Sequence, residues 1–418
     1  LDYTGLAKMT PEARGFLSAR VFDETDWWLG RLAPGGELRD GMEAVKKNFD
    51  LLGRGIFGME RRERAGVGEF EGKIKVDPKE VHPLHNKDIV LSASRLEKLA
   101  KCPFGYLMRY VLDVRPPDEL DLDQSQWLNP LMRGTLLHEI FAEFMRELRK
   151  EREKGKERRP AVRALEHGPL MRRIADKVIE RYKEEIPPPS EGVFEQESKE
   201  IEEAVAIFLK AEEERESAGE PLLFEVSFGT GRRKGGEEEG AEEGMPEPAA
   251  LDLGGSRTVS IAGRIDRIDR LEDGRYRVID YKTGSYKIYD DLDMFGKGRI
   301  LQHAMYAVAA EQILKKLGID KRPIVAESGY YFPTRKGEGN WVKPDLDRQK
   351  FNKLVLELIG IIERGDFVAN PGLGDIDCEE FCDYARVCGG ASARQRAKGK
   401  KDDNPDVFGI FERLKEYE

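Results

Sequence analysis

Two β-rich runs, Val259 to Asp269 and Tyr276 to Lys282, flank Glu272-Asp273-Gly274, and that combination reads as a hairpin turn between paired strands. The pattern commits this part of the chain to a sheet, and it also puts charge where a sheet normally buries apolar groups. The first run ends Gly263-Arg264-Ile265-Asp266-Arg267-Ile268-Asp269, and the second continues Val278-Ile279-Asp280-Tyr281-Lys282-Thr283-Gly284. Side chains at i and i+2 of a strand share a face, so Asp280 and Lys282 project together. Antiparallel pairing across the turn puts Asp266 beside Asp280, and two adjacent carboxylates repel unless a cation sits between them. Oxygen ligands with open positions suit Mg²⁺ or Mn²⁺. Such an ion activates water and stabilises charge on a phosphoryl oxygen, while an ammonium group two residues away positions or deprotonates the attacking water. An ordinary hairpin, in which Asp266 and Asp280 pair with Lys282 or the nearby arginines, satisfies the same pattern.

The rest of the chain gives this hairpin a setting. A length of 418 residues implies two or three cores. With 39% hydrophobic and 36% charged residues and a net charge of −10, the composition is that of a polar globular chain. It excludes a surface that is wholly a polyanion-binding field, leaving local basic patches. No apolar run reaches the ~18 to 20 residues of a membrane span, and Leu1-Asp2-Tyr3-Thr4 is neither a signal peptide nor an initiator Met. The expectation is a cytoplasmic protein without a membrane, and a start compatible with a piece of a longer one. Residues 1–90 carry helical signals, at Thr10-Pro11-Glu12 and from Leu38 to Leu52, but no chemical motif, and no P-loop occurs anywhere. Trp27-Trp28 is expected to fill an N-terminal core, and His82 and His85 to lie at the surface. A capped helix start at Leu91 to Glu97 opens a domain expected over 91–390. Within it, Leu137, Phe141, Phe144 and Leu148 stripe a helix over 131–150, with His138 beside the stripe. Arg146 to Arg173 holds eleven Lys/Arg against five acids, which suits a phosphate backbone or a solvated helix face. Residues 229–256 are Gly- and Glu-rich and read as a loop insertion. A helix is expected over 300–317 and a strand over 328–333.

Asp266 followed by Asp280-Tyr281-Lys282 resembles the PD-(D/E)xK nuclease core, in the RecB/AddB-type branch whose second motif reads D-Y-K. Arg133-Gly134-Thr135-Leu136-Leu137-His138 resembles the helix that presents a metal-binding histidine in that branch. Phe224-Glu225-Val226-Ser227-Phe228-Gly229 resembles its E-x-x-F strand, and Gln302-His303-Ala304-Met305-Tyr306 its Q-x-x-x-Y helix. Taken singly, His138 also reads as a satisfied helix histidine, and one Glu in an apolar strand decides little. Gln302 and Tyr306, one helical turn apart, either steer Lys282, bind a phosphate oxygen or simply face solvent. The resemblance implies an α/β fold, a restriction-endonuclease-like mixed sheet flanked by helices. It further implies that His138, Asp266, Asp280 and the Tyr281 carbonyl hold Mg²⁺ or Mn²⁺. Lys282 would then activate water, with Gln302 and Tyr306 in support.

Cys102 stands alone at the entry to this domain, whereas Cys378, Cys382 and Cys388 cluster at its exit. Four thiolates suit tetrahedral zinc or an iron–sulfur cluster. The lone cysteine with a distant trio resembles the iron–sulfur staple of the AddB-type and CRISPR-adaptation nucleases, which implies a [4Fe-4S] cluster clipping the domain's first helix to its last segment. The trio opens C-x-x-x-C here, where that family's opens C-x-x-C. Residues 391–418 read as a basic, then mixed, tail or a nucleic-acid contact. The implied activity is metal-dependent hydrolysis of DNA phosphodiester bonds, as an exonuclease in recombination and double-strand-break processing. The implied partner is a helicase subunit or a helicase region of the same polypeptide, of which 1–90 would be a remnant. The rival is a non-catalytic iron–sulfur DNA-binding module.

Overall fold

The computed structural model describes residues 41–116, 123–154, 162–215, 219–230, 244–290, 294–372 and 382–417. Trp27-Trp28, the Glu237 to Glu243 run and Cys378 lie outside them. Compactness divides the chain after Phe70, so that residues 71–90 belong with the larger unit rather than with the N-terminal segment. The physical reason is a pair of backbone bonds, Ile74 N–H to the Gly365 carbonyl and Phe367 N–H to the Gly72 carbonyl, both 2.9 Å. Gly72 and Gly365 hold φ of +98° and +66°, and a Cβ on them would lie 2.1 Å from the Phe367 oxygen and 1.9 Å from that of Ile74. In the smaller unit, the helix expected from Leu38 to Leu52 is divided at Phe49 into α1 (Gly41–Asn48) and α2 (Asp50–Arg62). The capped start expected near Leu91 opens α3 (Ala93–Lys101), with Ser92 Oγ accepting the Arg95 N–H at 3.2 Å.

A five-stranded sheet is the centre of the larger unit. Its strands are β2 (Glu220–Phe228), β5 (Gly263–Arg270), β6 (Tyr276–Tyr281), β7 (Val325–Phe332) and β8 (Asn340–Val342), in that spatial order. The β6–β7 pair is parallel and the other pairs are antiparallel, giving a mixed sheet. Every residue of β6 is buried, as expected of a central strand covered on both faces. One face carries the helices α4 (Pro130–Lys154), α5 (Ala164–Glu185) and α6 (Glu191–Glu214). Their core includes Leu137, Phe141, Phe144 and Phe208, closed from the sheet side by Ile279, Tyr281 and Tyr331. By alternation Asp280 and Tyr330 turn away from that core, toward α7 (Gln302–Lys316). The hairpin, the helix stripe, α7 and β7 all occur close to the expected bounds.

The run Val259 to Asp269 is not one strand. It divides at Ala262 between β5 and a second, three-stranded sheet of β1 (Val90–Leu91), β4 (Thr258–Ile261) and β3 (Ala249–Asp252). Ala262 N–H bonds the Leu91 carbonyl at 2.9 Å at the crossing point. Here the loop expectation for 229–256 needs correction. Met245, Ala249, Leu251 and Leu253 are buried, because a short period-two apolar alternation survives inside a segment whose average composition is polar. The segment after Cys388 likewise forms helices rather than a tail. Residues of Pro405–Arg413 bury Val407, Phe408, Ile410 and Phe411, and Lys400 pairs with Glu71 at 2.7 Å. His82 is 1% exposed, not superficial. No described helix is long and apolar enough to cross a membrane.

Candidate active site

The β5–β6 ladder runs as far as Arg267 opposite Ile279, so the next pair in register is Asp266 and Asp280, side by side. Beyond that point the Tyr281 N–H leaves the ladder and donates to Asp266 Oδ2 at 2.7 Å. His138 enters from α4, its Nδ1 3.5 Å from Asp266 Oδ1 and 3.9 Å from Glu225 Oε1. One donor atom from each of His138, Glu225 and Asp266 lies within 4.8 Å of the other two, the sole such trio among the described residues. Glu225 reaches the site because its φ is +52° inside β2, a left-handed conformation that side-chain-bearing residues adopt at a cost and that collects at functional sites. Its Oε2 takes the Arg264 Nε at 2.7 Å, while its Oε1 is buried without a hydrogen bond.

Crowding sets the protonation of these groups. Burial, with the Asp266 charge added, lifts Glu225 to about 7. Burial lifts Asp280 to about 6, against the pull of Lys282. For His138 burial works downward, but the charges of Asp266, Glu225 and Asp280 outweigh it and hold the imidazole at about 9. Asp266 goes the other way. Burial opposes its charge, yet His138 and the Tyr281 N–H keep it below the usual range. An imidazole and two carboxylates converging around an unsatisfied buried oxygen are the donor set of a divalent cation.

Asp280 stands outside that trio and points its Oδ2 at Lys282 Nζ, 2.5 Å away. The ammonium also donates to Gln302 Oε1 at 2.6 Å, and Gln302 Nε2 to Tyr306 Oη at 3.4 Å. The Tyr306 ring closes over Gly263, where a Cβ would lie 2.9 Å from its Cε1. Asp280, Lys282, Gln302 and Tyr306 thus form one hydrogen-bonded line beside the trio. His138, Glu225, Asp266, Lys282 and Arg264 line a cleft of about 780 Å³, with Lys177 and Arg181 of α5 on its wall. Two residues near the site do not stand out in the sequence. Glu225 has a signal in the strand motif, but one acid among apolar neighbours does not single itself out. Glu97, whose Oε1 accepts the Leu301 N–H at 2.8 Å, has none, since its partner is 204 residues away.

Cys102, Cys382 and Cys388 are half-buried thiols. Burial raises the Cys102 thiol, and the charge of Cys382 adds to that rise. Backbone N–H groups donate to sulfur at Cys102 (from Gly105, 3.4 Å) and Cys388 (from Gly390, 3.3 Å). Tyr384 Oη donates to the Val114 carbonyl at 2.8 Å, tying this segment to the one after Cys102.

Known proteins resemble this chain in sequence. An ATP-dependent helicase/deoxyribonuclease subunit of Acetivibrio thermocellus is 29% identical over 294 residues, 68% of this chain and 23% of that protein. The corresponding protein of Clostridioides difficile is 28% identical over 224 residues, 51% of this chain and 17% of the relative. That of a Thermoanaerobacter species is 26% identical over 298 residues, 69% and 24% respectively. The chain spans about a quarter or less of the length of these curated relatives. The family model of the PD-(D/E)XK nuclease superfamily matches residues 90–389, and with the hairpin, the trio and the Asp280–Lys282 pair in that span, the chain belongs to this superfamily.

Proposed function

We propose that this chain is the nuclease part of a helicase–nuclease and hydrolyses DNA phosphodiester bonds with Mg²⁺ or Mn²⁺. The observation that carries the reading is the approach of His138, Glu225 and Asp266 to within 4.8 Å beside the Asp280–Lys282 pair. His138, Glu225 and Asp266 would hold the cation, with Asp280 and the Tyr281 carbonyl completing its surroundings. A dication bound there lowers the pKa of water and stabilises charge building on phosphoryl oxygens. Lys282, fixed between Asp280 and Gln302, orients the attacking water and keeps a positive charge at the phosphate. Gln302 and Tyr306 keep the Lys282 head in place. Arg264, paired with Glu225 at the cleft wall, adds positive charge on the side from which a substrate backbone would approach.

The test uses linear DNA and Mn²⁺. The protein degrades it, and Asp280→Ala abolishes degradation while leaving DNA binding intact. A wild type that binds but cuts nothing, with an Asp280→Ala variant indistinguishable from it, leaves the non-catalytic binding module as the surviving reading. Exonuclease action predicts that a closed circular duplex survives where the linear form is consumed. A role in recombination and break processing, with a helicase subunit or a helicase region of the same polypeptide as partner, accords with the relatives' names as helicase/deoxyribonuclease subunits.

The same reading assigns Cys102, Cys378, Cys382 and Cys388 to a [4Fe-4S] cluster. It is supported by the contacts that join the two cysteine-bearing segments, Tyr384 Oη to the Val114 carbonyl and Lys98 over the Tyr384 ring, and by N–H donors aimed at two sulfurs. A brown anaerobic preparation containing iron supports the cluster, and zinc in place of iron overturns it.

A further inference from the structure

We propose that Glu97 positions Lys282, acting through the first turn of α7. This rests on the reading of Lys282 as the ammonium at the reacting phosphate. Helix α7 begins after Leu301, whose apolar side chain makes no cap, so the first N–H groups of the helix need an acceptor from elsewhere. Glu97 of α3 provides it. Its Oε1 accepts from Leu301 N, immediately before Gln302, at 2.8 Å. An anion there is also favoured by the helix dipole.

Gln302 is the first residue of α7, so whatever fixes that turn fixes its amide. The amide accepts from Lys282 Nζ at 2.6 Å and donates to Tyr306 at 3.4 Å. Lys282 sits over the Tyr330 ring, 5.5 Å from its centroid, and Tyr330 Oη in turn accepts the His303 N–H of the same first turn at 3.2 Å. Two caps from different elements therefore anchor the turn that carries the lysine's neutral partner. Burial lifts the Glu97 carboxyl to about 7, a cost that a surface-exposed cap does not incur. Glu97 lies five residues before Cys102 on the same stretch of chain, so α3 links the cysteine end of the domain to the active site.

Glu97→Met and Glu97→Gln in the full chain make the test, since both preserve volume and only Gln retains an acceptor oxygen. For Glu97→Met, kcat on linear DNA with Mn²⁺ should fall about 10- to 100-fold. KM and the calorimetric Kd for Mn²⁺ should stay within about twofold, because the cation ligands are untouched. Hydrogen exchange at the Leu301 and Gln302 amides should accelerate, and an amine-reactive reagent should label Lys282 faster. Glu97→Gln should stay within about threefold of wild type in all four readouts. Wild-type kcat in the Met variant, unchanged amide protection, or a Gln variant as impaired as Met each overturns the proposal. If Glu97→Met does not fold, a Gln variant with wild-type rate and protection supports it, and a tenfold loss overturns it. Should the wild type cut no DNA, the enzymatic reading fails, yet amide exchange and Lys282 labelling still decide the positioning role.

Discussion

A carboxylate held at φ +52° inside a strand, as Glu225 is, carries a conformational cost of about 1–2 kcal/mol as well as the cost of burial. The surrounding structure tolerates both because the side chain is wanted at the His138–Asp266 corner. Two predictions belong to this scale. Glu225 has its folded pKa raised from 4.5 to about 7, so its favourable contribution is complete below pH 4.5 and is lost as pH rises through about 7. The thermal midpoint of chelator-treated wild type should fall across that window relative to Glu225→Gln, which lacks the titration. His138, held at about 9 without a cation, must become neutral to ligate one. Calorimetry of Mn²⁺ binding near pH 8, repeated in buffers of different ionisation enthalpy, should therefore report release of about one proton. His138→Ala should remove most of that release.

Among elements, the sheet and the α4–α6 layer are joined by charge as well as by aromatic packing. Arg267 of β5 is 2% exposed, bonded to Asp269 at 2.6 Å and paired with Glu212 of α6 at 3.1 Å. Replacing it by Leu takes the guanidinium away from the buried Asp269 and leaves Glu212 to Arg215 at 3.2 Å, and chemical denaturation should show a loss of about 3–5 kcal/mol. The all-buried strand β6 treats its own charges the same way. Arg277 is neutralised by Glu327 of β7 at 2.7 Å and Asp280 by Lys282 at 2.5 Å, but only the second pair opens on the cleft. On the other face, Gly263 lets the Tyr306 ring approach β5. Gly263→Ala should push that ring and loosen the Gln302–Lys282 bond. The expected result is a fall in kcat of about tenfold or more, with a circular dichroism spectrum unchanged from wild type. A rate equal to wild type would mean that α7 tolerates the displacement.

At the scale of the larger unit, the chain brings its two ends together. Lys98 Nζ lies 5.6 Å from the centroid of the Tyr384 ring, Asn370 Nδ2 donates to the Lys101 carbonyl at 2.8 Å, and helices follow Cys388 in place of a loose tail. If the cysteines hold a cluster, Cys102→Ser and Cys382→Ser should each lower the melting temperature by about 5 °C or more. Asp280→Asn, which keeps the side-chain volume and an acceptor oxygen for Lys282, should shift it less than either cysteine variant. Equal melting temperatures for the cysteine variants and wild type would count against the staple. These outcomes separate what closes the unit from what does its chemistry.

The hairpin, the α4 stripe and the Gln302–Tyr306 spacing are legible in the sequence because each is a local pattern. Period two, period 3.6 and a turn signal act within a few residues, and they put Asp266, Asp280 and Lys282 on one hairpin and Gln302 and Tyr306 on one helix face. Local signals mislead where a short element sits inside polar composition, as at Ala249–Asp252, and where a tail-like sequence gains burial from distant partners, as at Lys400 with Glu71. The choice of Glu225 as the third member of the trio, the turn of Asp280 toward Lys282, and the Glu97 cap on α7 are decided only by tertiary structure. Each depends on contacts between elements far apart in sequence, where the energy of bringing charges together is set by distance and burial rather than by spacing along the chain.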